Sequence, residues 1–225
     1  MGTWPGDPDP HTAPELDRSA LVVVDTQVDF VDGGASPVPG TTQVVPVIGT
    51  LLRAYRAAAL PVVHVVRLYT GDDVDLPRRA LVAAGSPLVR PGSAGSQIVP
   101  ALRPPGAPDL DPDLLLGGGL QVLADREWAI WKPRWGSFHR TRLDEQLRGQ
   151  GVSTVVLAGC NYPNCPRATV YGASERDYRV LLVSDAISGV RGSHLEEAGL
   201  LGVRHATAGE VVRELAARAD RVTAP

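Results

Sequence analysis

Cysteine is scarce in this 225-residue chain, which holds only Cys160 and Cys165. Two thiols do not build a disulfide framework, and a chain that leaves them free is expected in a reducing cytoplasm. Histidine is sparse as well: His11, His64, His139, His194 and His205 are scattered, with neither H-x-x-x-H nor paired Cys/His spacing. No metal and no other cofactor is therefore expected. Positive charge is not concentrated, since 22 Lys and Arg stand against 25 Asp and Glu, the net charge is −3, and no basic run exceeds two residues. A nucleic-acid partner would need a basic stripe that is missing here. Apolar runs stay far below membrane-spanning length, so no membrane partner is expected. Residues 1–18 are rich in Pro, Asp and Gly and lack a basic segment followed by an apolar one. We read them as a flexible N-terminal segment, not a secretion leader.

What remains is ordinary globular composition, 44% hydrophobic and 21% charged, enough for one domain over residues 19–220. Short β-branched runs alternate with amphipathic stretches. Ala20–Asp25 is a continuous apolar run ending in an acid, as in a strand buried on both faces of a parallel sheet. Between Thr41 and Ala59 the residues Val47, Ile48, Leu51, Leu52 and Tyr55 recur at helical spacing. Further strands are expected at Pro61–Arg67, Trp128–Lys132, Thr154–Ala158, Arg179–Asp185 and, briefly, near His205–Thr207. A final helix carries Val211, Val212 and Leu215. The pattern predicts an α/β chain with a single-domain, Rossmann-like, six-stranded parallel sheet and helices on both faces. The irregular stretch from Leu68 to Gln121 contains a Pro/Gly-rich excursion over 103–121. We expect it to cover a pocket, contact a neighbouring subunit, or form a plain surface insertion.

Ligands of such sheets bind beyond the carboxyl ends of the strands. Asp25, Lys132 and the turn from Gly159 to Cys165 all fall there. Cys165 precedes Pro166, a residue suited to the first helical turn. Its sulfur is then expected at a helix N-terminus, where the thiolate is favoured and the thiol becomes more acidic. Cys160 ends an apolar strand and reads as packing. Aromatics make up only 5% of the chain, yet Phe30, Trp135, Phe138 and Tyr162 flank these segments. Together with Asn161 they are the candidate substrate-binding residues, and Arg67 or Arg167 offers a bidentate contact to a substrate carboxylate.

Three blocks in order carry a resemblance: Val24–Phe30, Trp131–Phe138 and Gly159–Cys165, followed by Ala173–Val180 and Ser184–Ala186. From about Ala20 to Leu215 the chain resembles the isochorismatase-like cysteine hydrolases, among them nicotinamidases, N-carbamoylsarcosine amidohydrolase and related amidases. The resemblance implies a catalytic triad of Asp25, Lys132 and Cys165. It also implies an oxyanion hole from the backbone N–H groups of Tyr162 and Cys165, a cis peptide at Asn161–Tyr162, and a homo-oligomer, dimer or tetramer. The chain departs from the family at Tyr162–Pro163, where Thr–Asp is usual, and at Val28, where Asn is common. Val65–Thr70 lacks the histidines with which nicotinamidases hold metal. The reading that follows is a metal-free hydrolase using water to cleave a C–N bond in a small carboxamide, carbamoyl or imide substrate. A vinyl-ether hydrolase, a catalytically silent ligand-binding protein and a thiol redox sensor are the alternatives.

Overall fold

The computed structural model describes residues 9–223, with side chains through residue 218. Seven strands form one sheet: β1 (Ser19–Val24), β2 (Val62–Val66), β3 (Leu120–Ala124), β4 (Glu127–Trp131), β5 (Thr154–Gly159), β6 (Arg179–Ile187) and β7 (Arg204–Ala206). Their order is β3-β4-β2-β1-β5-β6-β7, and every pair is parallel except β3 with β4. The antiparallel edge strand is absent from the six-strand expectation. Its sequence is short, follows Gly117–Gly119, and exposes Val122, so no buried apolar run betrays it. The turn Asp125–Arg126, with Arg126 at φ +54°, reverses the chain into β4.

The apolar runs are continuous because both faces are covered. Leu21 and Val23 of β1 join Val62, Val66, Val156 and Leu181 beneath α1 (Thr41–Ala57) and α7 (Ala208–Thr223). Ala20, Val22 and Val24 join Val63, Val155 and Leu182 beneath α4 (Leu143–Gly149) and α5 (Cys165–Ser174). A β-strand side-chain period of two sends alternate residues to opposite layers.

Two irregular segments take definite positions. Residues 9–18 pack onto the body rather than hanging free: Ala13 and Leu16 are buried, and the backbone N–H of Glu15 donates to Thr154 Oγ1 at 2.9 Å. Residues 1–8 of that expected flexible segment lie outside the described residues. The excursion over 103–121 contributes no residue to the cavity lined by Asp25 and Cys165. It buries Leu110 and Leu115 against the β3–β4 edge through a short helix, α3 (Pro112–Leu116). Among the described residues no helix is long and apolar enough to cross a membrane.

Candidate active site

In the strand order, β1 has β2 on one side and β5 on the other, so the chain's direction of winding reverses at β1. Such a switch point leaves a crevice beyond the strand ends. Each of the adjacent strands β4, β2, β1 and β5 delivers a chemical group there: Lys132 follows β4, Arg67 follows β2, Asp25 follows β1, and the turn to Cys165 follows β5. Gly159 makes the last approach possible. It sits at φ +121°, and a Cβ there would lie 2.1 Å from the Val24 carbonyl oxygen. Only glycine tolerates both the angle and the contact.

Asp25 adopts φ +50°, a left-handed conformation for a non-glycine residue, and strain of this kind concentrates at functional sites. Its backbone N–H donates to Val65 O at 2.8 Å. Its Oδ2 accepts from Lys132 Nζ at 2.8 Å, while among the described residues the buried Oδ1 has no hydrogen-bond partner. Lys132 is fully buried and also reaches Arg134 O at 3.4 Å. Cys165 is the first residue of α5, so its N–H belongs to the unpaired first turn of that helix. A hydroxyl chain positions it: Thr169 Oγ1 donates to Cys165 O at 2.8 Å and meets Ser137 Oγ at 2.8 Å, tying the lysine-bearing loop to the cysteine-bearing helix.

The expected acidic thiol is not what this geometry produces. Burial pushes the Cys165 thiol up to about 12, and the neighbouring Asp25 charge raises it further against the pull of Lys132 and Arg67. Cys165 does begin a helix, but burial disfavours the thiolate. Cys160 is buried and rises to about 11, chiefly through burial.

A cavity of about 60 Å³ opens at this point, with Asp25 and Cys165 in its wall. Of the candidate substrate-binding residues Phe30, Trp135 and Asn161 line it, and Cys160 lines it too. Phe138 and Tyr162 do not. Phe138 stacks on Tyr178 at 5.8 Å between ring centroids, inside the core beneath α5. Tyr162 turns its ring onto His194 at 4.9 Å. The Tyr162 N–H donates to Ser188 O at 2.8 Å and so is not an open oxyanion donor. Among the described residues every peptide bond is trans, Asn161–Tyr162 included. Trans is the ordinary preference of a non-proline bond, and in that form the Tyr162 N–H closes onto the loop after β6. Arg167 pairs with Glu197 at 2.8 Å outside the cavity.

Several wall residues carried no signal in the sequence. Val38, Tyr69 and Asp75 come from irregular segments, and Pro77 and Arg78 from a short 3-10 turn, Leu76–Arg78. Asp75 accepts from both Arg67 and the Tyr69 hydroxyl. Asp29, inside the first motif, is structural: it accepts from the N–H groups of Val89 at 2.6 Å and Ala35 at 3.1 Å. His64 faces Glu127 at 2.7 Å, well removed in the sheet. Among the described residues no three His, Cys, Asp or Glu side chains gather in a metal-binding group.

Comparison with known proteins gives a consistent answer. The chain is 29% identical over 209 residues to a probable inactive nicotinamidase of Arabidopsis thaliana, covering 88% of this chain and 97% of that one. It is 29% identical over 211 residues to the ureidoacrylate amidohydrolase RutB of Methylorubrum extorquens, covering 89% and 82% respectively. An isochorismatase family protein from Desulfovibrio vulgaris superposes with a TM-score of 0.74 at 32% identity, over 88% of this chain and 98% of that one. N-carbamoylsarcosine amidase from Thermoplasma acidophilum gives 0.68 at 25% identity, over 85% and 96%. The isochorismatase domain model matches residues 19–111 and 108–214. The chain belongs to the isochorismatase family.

Proposed function

We propose that this family member is a cysteine hydrolase that cleaves a C–N bond of a small carboxamide, carbamoyl or imide substrate through a thioester. The observation that carries the reading is the Asp25 carboxylate, held by Lys132 on one oxygen and left open on the other, next to the Cys165 thiol in one cavity. Relatives described as an amidohydrolase and an amidase support it.

The raised thiol supports Asp25 as the acceptor in the first proton transfer. A sulfur that stays protonated at neutral pH needs a base at the moment of attack, and Asp25 stands in place. Asp25 takes the proton as sulfur bonds to the carbonyl carbon, and the carbonyl π electrons move to oxygen. Collapse of that adduct breaks the C–N bond, and Asp25 returns the proton to the departing nitrogen. Water then attacks the thioester, giving a proton to Asp25. Cleavage of C–S releases the acid, and the sulfur regains its proton. Lys132 holds the Asp25 carboxylate in position between these transfers through its 2.8 Å hydrogen bond. The open N–H of Cys165 faces the developing oxyanion.

The protonated thiol also favours a second reading, a silent ligand-binding protein, and one relative is described as probably inactive. Ammonia release from a panel of small amides, ureido compounds and imides separates the two. The hydrolase reading expects turnover that Cys165→Ala reduces by orders of magnitude. No turnover on any of them, or equal turnover by the variant, would sink it.

A further inference from the structure

Arg67 is the one strand-end group that the proposed chemistry leaves without a task. Its residue is 2% exposed, yet the side chain lines the cavity beside Asp25 and Cys165. A buried guanidinium is costly unless compensated, and compensation here is specific. One N–H reaches Asp75, another donates to Lys132 O at 3.3 Å, and the cation lies 5.6 Å from the Tyr69 ring centroid. Two of its five N–H donors are thereby used. The backbone is clamped as well. Gln27 Oε1 accepts from the Arg67 N–H at 2.7 Å, and Gln27 Nε2 donates to its carbonyl at 2.8 Å.

The site has a vacancy that fits this cation. The Tyr162 N–H is committed to Ser188, so the Cys165 N–H is left as the backbone donor of the α5 terminus. Charge is short as well. Asp25 and Lys132 neutralise each other, so negative charge on sulfur or on a substrate oxygen has no further partner in that pair. A substrate carboxylate is a poor occupant for Arg67, because Asp75 already holds it.

We infer that Arg67 is a second, fixed cation of the site, stabilising negative charge on the Cys165 sulfur and on the carbonyl oxygen of a bound substrate, and that Asp75 sets its strength. The groups that share the cavity with the sulfur are Asp25 after β1, Arg67 and Tyr69 after β2, Asp75 and Arg78 from the following connection, and Cys160 after β5. Lys132 after β4 acts from behind Asp25. Within that set Arg67 pulls the thiol down while Asp25 pushes it up. Weakening Arg67 and weakening Asp75 must therefore move the sulfur in opposite directions, which a purely structural role would not do.

The catalytic half of this inference rests on Cys165 as nucleophile, but its test does not require turnover. Iodoacetamide alkylates the thiolate, forming S–C and releasing iodide, so the rate against pH, mapped to the Cys165 peptide, reports acidity. Arg67→Met should raise the midpoint by about one unit or more, a tenfold loss of thiolate at a given pH. Arg67→Lys should keep most of the native profile. Asp75→Asn, close in shape to the native residue, should lower the midpoint, and it decides the matter even if Arg67→Met fails to fold. A midpoint in Asp75→Asn that is unchanged or raised, or a faster rate at every pH without a shift, overturns the inference. Retained hydrolysis by Cys165→Ala would instead overturn the function proposed above and leave the alkylation result standing.

Discussion

Asp25→Asn should make Cys165 more acidic and the protein less active at the same time. The substitution keeps the side chain's shape and leaves an oxygen to accept from Lys132 Nζ, now at 2.8 Å from Asp25. Asparagine also tolerates the left-handed conformation that Asp25 occupies at φ +50°. What it removes is a negative charge beside the sulfur. Two unit charges about 4 Å apart interact by about 4 kcal/mol at an effective dielectric of about 20, or about three pKa units. Freed from Asp25, Lys132 acts on the sulfur in the same direction. A midpoint that starts at about 12 should then fall, and by about two units or more on this arithmetic. Removing the proton acceptor should meanwhile lower hydrolysis by about 10²–10⁴. Alkylation against pH with peptide mapping reads the first effect and separates Cys165 from Cys160; ammonia release reads the second. Acidity and activity moving together, or a thiol unchanged in the variant, would refute the assignment of Asp25 as the charge facing the sulfur.

Cys160→Ala should retain most hydrolysis, in contrast to Cys165→Ala, as ammonia assays on both variants will read; equal losses would point to a packing role for both thiols. Gly159→Ala should destabilise the fold by about 2–5 kcal/mol, since it combines an unfavourable φ with overpacking. A urea midpoint close to that of the unmodified protein would contradict the close approach of β5 to β1. Glu127 is buried, which opposes its charge, yet hydrogen bonds from Arg56 and His64 outweigh burial and hold the carboxyl at about 2. Because the folded value lies below the unfolded one, its contribution is present above about pH 4.5 and is lost as pH falls toward 2. Glu127→Gln should therefore flatten the stability profile in that window, by about 2–3 kcal/mol in chemical denaturation series. Hydrolysis should survive exhaustive chelation; activity that vanishes and returns with zinc would refute the metal-free scheme.

Much of the site was legible because its groups end strands whose apolar runs are unmistakable. Asp25 closes Ala20–Val24, Lys132 closes Trp128–Trp131, and the turn after Gly159 leads to Cys165. The illegible parts have physical causes. Asp75 lies in a connection with no periodicity, so nothing along the chain announces that it meets Arg67. Phe138 and Tyr162 stand next to motif residues, but adjacency in sequence does not say which way a ring turns, and both turn into the core. The sign of the Cys165 shift was missed for a related reason: a helix terminus is a local feature readable from Pro166, whereas burial depth is the sum of everything packed around the sulfur. The β3 strand escaped because an edge strand with an exposed Val122 shows little hydrophobic pattern.

Three charged groups follow directly on neighbouring strands, Lys132 on β4, Arg67 on β2 and Asp25 on β1, while Cys165 begins α5 after the turn that follows β5. Adjacent strands keep a spacing of about 4.8 Å set by backbone hydrogen bonds, so the sheet itself gauges the distances among the three strand-end groups. The walls that face a ligand come from elsewhere: Val38, Pro77 and Arg78 belong to connections and Trp135 to a loop. On the proposed function, chemistry and selectivity fall to separable parts of the chain. Insertions or substitutions in the connections can reshape what enters the cavity without disturbing the spacing of Lys132, Arg67, Asp25 and Cys165. A library aimed at new substrates belongs at Val38, Pro77, Arg78 and Trp135, and randomising Tyr162 would spend its diversity on the packing of His194.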